Sequence, residues 1–316
     1  MTSTVVLPEV PGLVGLYARG AGASGRLALA RRVGRAPSTL PDVAYEVHGV
    51  RADALRLTEY QHLLGEPASD RLPAGFVHVL AFPVATALMA RTDFPLPLAG
   101  LVHLANRVAQ RRPVTLDDTL DVRACAQDLR PHRSGTQVDL VTEVRTGDTL
   151  AWRGVSTYLA RGVRLGSEDP VRPDAAGVEV AASGPARAAA GVDERAPFVP
   201  PAPTGRWRLA GDTGRRYAAV SGDRNPIHLS GLSAKALGFP RAIAHGMYTA
   251  ARALADVGAA RGDAFDWSVE FGSPVLLPGT VTVRVAHDDA AGFTFAGWDA
   301  RSGKPHLTGT VTPLGT

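Results

Sequence analysis

The chain has 316 residues, 45% of them hydrophobic and 20% charged, with a formal net charge of +4. That length allows about two domains with cores of their own, and the composition excludes a disordered chain. The mild positive charge comes without a Lys/Arg block interleaved with aromatics, so no nucleic-acid partner is expected, and a modestly basic surface suits an anionic one. Cys125 is the only cysteine, which excludes an intrachain disulfide and a thiolate metal site. No apolar run approaches the roughly 18 residues of a membrane span, so no membrane insertion is expected. The N-terminus lacks the charged and apolar regions of a signal peptide, and a cytoplasmic location is the expectation.

In chain order, residues 1–45, interrupted by Pro8 and Pro11, read as an extension that packs on the first of two units. Residues 46–165 form that first unit. YQHLLGE (60–66) precedes a helix-like run, FPVATALMA (82–90). RRPVTLDDTLDVRACA then alternates as a strand, with Leu120, Val122 and Ala124 on one face. TQVDLVTEV turns at Thr146-Gly147-Asp148 into TLAWRGVSTYL, a hairpin. Residues 166–205 are rich in Pro, Ala, Gly and Ser and read as a linker.

Residues 206–316 then repeat the plan. YAAVSGD (217–223) precedes HGMYTAARALADV (245–257), followed by GSPVLLPGTVTVRVA with Val281, Val283 and Val285 alternating. GFTFAGWDA turns at Arg301-Ser302-Gly303 into a final strand. The matching pieces are offset by about 160 residues, as in an internal repeat. The fold class is therefore α+β: two copies of one unit, each a long central helix wrapped by an antiparallel sheet.

In the helix starting near His245, Met247, Ala250, Ala251, Leu254 and Val257 fall on one face, and Gly258 supplies a stop. Upstream, SGLSAKALGF reads as a short helix opened by Ser230 and ended at Gly238.

The stretch that calls for chemistry is DRNPIH, residues 223–228. In an unbroken helix, five residues would leave Asp223 and His228 about 140° apart. Pro226 disfavours helical geometry at Asn225, so the backbone should turn and let carboxylate and imidazole converge. Convergence on one water provides a base for one proton and an acid for another, as addition of water to a double bond requires. Conjugation to a carbonyl makes that addition feasible, and an amide at a helix N-terminus can hold the developing enolate oxygen. Gly246, lacking a side chain, allows such close approach.

YAAVSGDRNPIH followed by AKALGFPRAIAHGM resembles the hydratase motif of MaoC-like (R)-specific enoyl-thioester hydratases and (3R)-hydroxyacyl-thioester dehydratases. The resemblance is close over the second half, and the whole chain resembles the two-repeat actinobacterial members. It implies a double hot dog, with no metal and no other cofactor. Asp223 and His228 become the water-handling pair, Asn225 orients the water or the pair, and the Gly246 amide polarises the thioester carbonyl. Ala244, His245, Met247 and Thr249 are expected to line the substrate, with His245 capping or packing rather than catalysing. Where some members carry a serine in the central helix, this chain has Ala251, with Thr249 nearby. The implied partners are acyl-CoA or acyl carrier protein thioesters, and the implied assembly a monomer of paired repeats or a homodimer.

The first repeat departs from the motif: after Glu66, the counterpart of Asp223, come Pro67, Ala68, Ser69, Asp70 and Arg71. One active site per chain follows, and the first copy is expected to serve as a wall for the acyl chain. His62, His78, His103 and His132 have no partner pattern and read as solvated or satisfied. Trp152, Trp207, Trp267 and Trp298 read as core or rim, and Ser221 as a backbone-bonding turn residue. Two rival functions share these features: a hot-dog acyl thioesterase, whose carboxylate is missing from MYTAARALA, and a non-catalytic acyl-binding or partner subunit.

Overall fold

The computed structural model describes residues 2–165, 197–290 and 292–315; most of the predicted linker lies outside them. The N-terminal extension supplies strand β1 (Ser3–Val6) and helix α1 (Leu13–Arg32). The first half contains β2 (Val43–Val50), α2 (Ala54–Leu64), α3 (Ala74–Met89), β3 (Leu101–Gln110), β4 (Leu120–His132), β5 (Gly135–Thr146) and β6 (Thr149–Arg161). The second half begins with β7 (Gly205–Leu209), α4 (Thr213–Ser221), α5 (Pro226–Leu229), α6 (Gly231–Ala236) and α7 (Gly246–Val257). A 3-10 turn (Gly258–Arg261) leads to β8 (Phe265–Phe271), β9 (Gly279–Asp288), β10 (Gly292–Trp298) and β11 (Pro305–Pro313).

Among the described residues, all the strands join one sheet, ordered β1-β2-β4-β5-β6-β3-β8-β11-β10-β9-β7. Read inward from each end after β1, the two halves have the same plan: an edge strand, three consecutive antiparallel strands, then the strand that follows the central helix. The halves meet where β3 pairs antiparallel with β8, Asn106 opposite Val269 and Val108 opposite Trp267. The antiparallel seam relates the repeats by an approximate two-fold axis, and they form a double hot dog, an α+β fold. Alternation in the strands sets the inner face: Leu120, Val122 and Ala124 of β4 are buried, as are Val281 and Val283 of β9. The four tryptophans are buried core residues. The first-half hairpin turns at Gly147, which takes φ +54°, and Asp148.

Helices α3 and α7 pack as the central pair. Helix α3 is buried almost all round and starts at Ala74 after Pro73, well upstream of the predicted 82–90 run. A helix buried on nearly every side shows no amphipathic stripe to mark its beginning, and Phe82-Pro83 was the more visible signal. The helix runs through Pro83, whose missing N–H leaves one carbonyl of the preceding turn without its helical donor. Helix α7 buries the predicted Met247, Ala250, Ala251, Leu254 and Val257, and ends at Gly258. Ser230 caps α6 by accepting from the Ser233 N–H, and Gly238 follows with φ +89°. Among the described residues, no helix is long and apolar enough to cross a membrane.

Candidate active site

The DRNPIH turn is built as its residue types dictate. Helix α4 ends at Gly222 in the left-handed conformation, φ +76°, and Asn225 opens α5 with Pro226 in its first turn. The Asn225 side chain accepts the Ile227 N–H at 3.4 Å, so it caps the helix that carries His228. The Asn225 backbone N–H donates to Oδ1 of Asp223 at 3.2 Å, so this residue orients the acid through its main chain. Ser221 Oγ accepts the Asp223 N–H at 3.1 Å, the backbone role expected of it.

Gly214 fixes α4 against α5. A Cβ there would lie 2.1 Å from the carbonyl oxygen of His228, a backbone atom that cannot swing aside. Gly214→Ala is expected to cost about 1–3 kcal/mol of stability, as overpacking does. It should also lower turnover by shifting His228, checked by thermal melts alongside steady-state kinetics.

His228 donates Nδ1–H to the Ile243 carbonyl at 2.8 Å, which leaves Nε2 unprotonated and able to accept a proton. Ile243 is itself pinned. Ala244 N–H donates to Val275 O at 2.9 Å and Leu277 N–H to Ala242 O at 2.8 Å, zipping the approach to α7 onto residues 275–277. That strip delivers His245 as the cap of α7 and Gly246 as its first residue. The N–H groups of a first helical turn have no carbonyl partner within the helix, so the Gly246 amide is placed to receive an external oxygen. Phe271 closes over it: a Cβ on Gly246 would approach that ring to 3.0 Å.

His245 holds the cap position expected of it, without a side-chain cap bond, and its ring also faces Asp223. Its ring stacks on His228 with centroids 3.6 Å apart. Its Nε2–H donates to the main-chain carbonyl of Asp223 at 3.0 Å and lies 3.8 Å from Oδ2. One donor atom each from Asp223, His228 and His245 lies within 4.8 Å of the others, a gap that a single water can bridge. The same three could face a cation. Each imidazole gives one ring nitrogen to a backbone carbonyl and keeps the other, so with the Asp223 carboxylate the three offer one donor each.

Burial pushes the His228 imidazole down to about 3, with neighbouring His245 adding to the effect and Asp223 opposing it. Burial works against ionisation of Asp223, but His245, His228, the Tyr17 hydroxyl and the Asn225 N–H outweigh it and hold the carboxyl below its ordinary value. At neutral pH the pair therefore rests as carboxylate and neutral imidazole. Ala244, Met247 and Thr249 are buried around the α7 start. The Thr249 hydroxyl donates to Gly246 O at 2.7 Å and so is occupied within the helix.

Three side chains near Asp223 were missed by sequence reading. Tyr17, in α1, donates its hydroxyl to Asp223 Oδ1 at 2.5 Å across 206 residues of sequence. His78 and His103, expected to be solvated or satisfied, lie close enough to feel the charge of Asp223, and His78 is buried. His103 stacks on Tyr158 (4.6 Å) and meets Phe271 at a tilt (5.0 Å), with its Nε2 buried and without a hydrogen-bond partner. His78 is findable by extending the repeat: AGFVH aligns with HGMYT, setting His78 against Thr249. The degenerate acid has a different fate. Glu66 is buried and paired with Arg261 at 2.8 Å, a closed ion pair where the second repeat keeps its working acid.

A carboxylate, an imidazole and a helix-terminal amide gathered beside the central helix of a double hot dog define a hot-dog hydro-lyase. The MaoC-like domain model matches residues 196–302. Over 280 residues, 87% of this chain and 91% of the relative, the sequence is 36% identical to 3-hydroxyacyl-thioester dehydratase X of Mycobacterium tuberculosis. The crystal structure of that dehydratase, HtdX, superposes with a TM-score of 0.71 at 34% identity, covering 86% of this chain and all of the other. A MaoC-like dehydratase from Phytophthora capsici shares the fold, with a TM-score of 0.64 at 20% identity over 86% of this chain and 94% of its own. The chain belongs to the MaoC-like dehydratase family.

Proposed function

We propose that the enzyme interconverts (3R)-3-hydroxyacyl thioesters and trans-2-enoyl thioesters plus water in fatty-acid metabolism. The observation that carries this reading is the meeting of Asp223 and His228 at the mouth of α7. A carboxylate and a neutral imidazole within a water's span of each other can accept and return protons. In dehydration one of the pair takes the C2 proton to leave an enolate, and the C3–O bond then breaks. The same proton, passed directly or through the other member, leaves on the departing hydroxide as water, so the enzyme ends as it began. The Gly246 N–H stabilises the enolate oxygen between these events. Losing a donor of this kind costs about 2.7–4 kcal/mol of transition-state stabilisation.

A thioesterase would use the same fold but needs a carboxylate at the helix start. The α7 carboxylate, Asp256, lies in its last turn and accepts the Trp207 Nε1–H at 2.8 Å. The thioester is carried by coenzyme A or by an acyl carrier protein, both anionic partners for a basic chain. With the two repeats sharing one sheet, the single polypeptide suffices as the working unit.

Crotonyl-CoA and a series of longer enoyl-CoA esters test the reading. Loss of conjugated enoyl absorbance with no release of free thiol is the expected result. Thiol release at the rate of substrate loss would make it a thioesterase, and no change in either signal would make it a binding subunit.

A further inference from the structure

Helix α1 carries one buried stripe, Leu13, Leu16, Gly20 and Leu27, and Tyr17 stands between the members of that stripe. The stripe docks on the first half: a Cβ on Gly20 would collide with the Leu98 side chain, and the Arg31 guanidinium donates to the Pro95 carbonyl. The Ala99 N–H donates to Ser24 Oγ at 3.4 Å. Leu13 reaches instead toward Gly222 of the second half. The extension is thus anchored on one repeat while its tyrosine enters the site of the other.

There, Asp223 Oδ1 accepts both the Tyr17 hydroxyl at 2.5 Å and the Asn225 N–H at 3.2 Å, while Oδ2 has only His245 Nε2 at 3.8 Å, beyond hydrogen-bond range. The two oxygens are therefore unequal, one saturated and one open.

We propose that Tyr17 is a positioning residue for the dehydration: its hydroxyl pins Oδ1 of Asp223 and leaves Oδ2 as the oxygen that exchanges the reacting proton. The proposal rests on Asp223 being a member of the acid–base pair. A neutral phenol suits the role because it donates without adding a competing charge. Burial and the adjacent carboxylate keep Tyr17 protonated throughout the working pH range. By favouring the carboxylate form, the bond also keeps Asp223 ionised at lower pH than it would otherwise be.

The other groups whose charge Asp223 feels or influences are His228 of α5 and His245 before α7. Tyr217 of α4, Tyr158 of β6, His78 of α3 and His103 of β3 complete the set around it. Arg56 of α2 donates to the Val220 carbonyl at the end of α4. Tyr17→Phe leaves all of these in place and removes only the hydroxyl.

The test is the pH profile of kcat/KM for enoyl-thioester hydration by Tyr17→Phe, with Leu27→Ala as control. Leu27 is buried on the same helix face, and its loss loosens α1 without touching the hydroxyl. The expected result for Tyr17→Phe is an acid limb moved to higher pH by about one unit, a loss that grows to about tenfold toward low pH, with KM little changed. Leu27→Ala should lower the melting temperature and leave the acid limb where it was. A Tyr17→Phe profile that superimposes on the wild type, or an equal shift in Leu27→Ala, overturns the proposal. So does a gain in activity, which would make Tyr17 a plug rather than a support. Asp223→Asn assayed in parallel separates the two levels: if it retains full activity, the acid–base assignment fails and not merely the tyrosine's part in it.

Discussion

Replacing Asp223 by asparagine, or His228 by glutamine, is expected to lower turnover by about two to four orders of magnitude, the usual worth of a positioned general acid or base. Both substitutions nearly preserve shape. Asparagine keeps an oxygen to accept from Tyr17 and the Asn225 N–H but cannot take up a proton. Glutamine can bond to the Ile243 carbonyl through its amide but offers no basic nitrogen. Because the two residues act as a unit, the double variant should be scarcely worse than the poorer single one. Steady-state hydration of crotonyl-CoA gives the numbers, and circular dichroism gives the fold. A folded single variant within threefold of wild type would remove that residue from the proton path.

The second large effect is on stability in mild acid. An unfolded histidine titrates near 6.5. In the folded protein, burial pushes His78 down to about 4 and His103 and His228 to about 3, and it lowers His245 as well. Between those folded values and pH 6.5 the unfolded chain binds more protons than the native one. Stability therefore falls as pH falls through this window, and it is fully present only above it. His78, His103 and His228 each contribute a slope approaching about 1.4 kcal/mol per pH unit, so at pH 5 each of the three removes roughly 2 kcal/mol. Several together approach the whole margin of a typical domain, about 5–15 kcal/mol. Asp223 acts lower down: its folded value is depressed, so its contribution persists until the pH drops through that value. Urea midpoints measured from pH 8 to pH 5 should decline steeply below pH 6.5, and His103→Phe should flatten the decline. A midpoint unchanged between pH 7 and pH 5 would show that these rings titrate normally.

What could be read from the residues alone divides by range. The turn at DRNPIH, the Ser230 cap of α6, the start of α7 near His245 and its stop at Gly258 are local, set by proline, glycine and capping chemistry within a few positions. They were legible. So was the repeated architecture, because strand alternation and hairpin turns recur at one offset. The start of α3 was hidden because a helix buried on all sides has no polar face to give it a period. His245 was underread because stacking on His228 depends on the strip at Val275–Leu277 that sets its height. Tyr17 left no trace at all: the pattern of α1 is a weak stripe, and nothing in a chain separation of 206 residues announces contact with Asp223. Buried histidines gathered from both halves are likewise products of the pairing of repeats, which no single segment encodes.

The seam between β3 and β8 carries a consequence of its own. Tethering turns the meeting of the two hot dogs into an intramolecular event at millimolar effective concentration, so dilution cannot part them. A symmetric pair of identical subunits must accept every substitution twice, once in each site. Fusion lifts that constraint, which is how one half can lock its acid to Arg261 while the other leaves its acid an open oxygen.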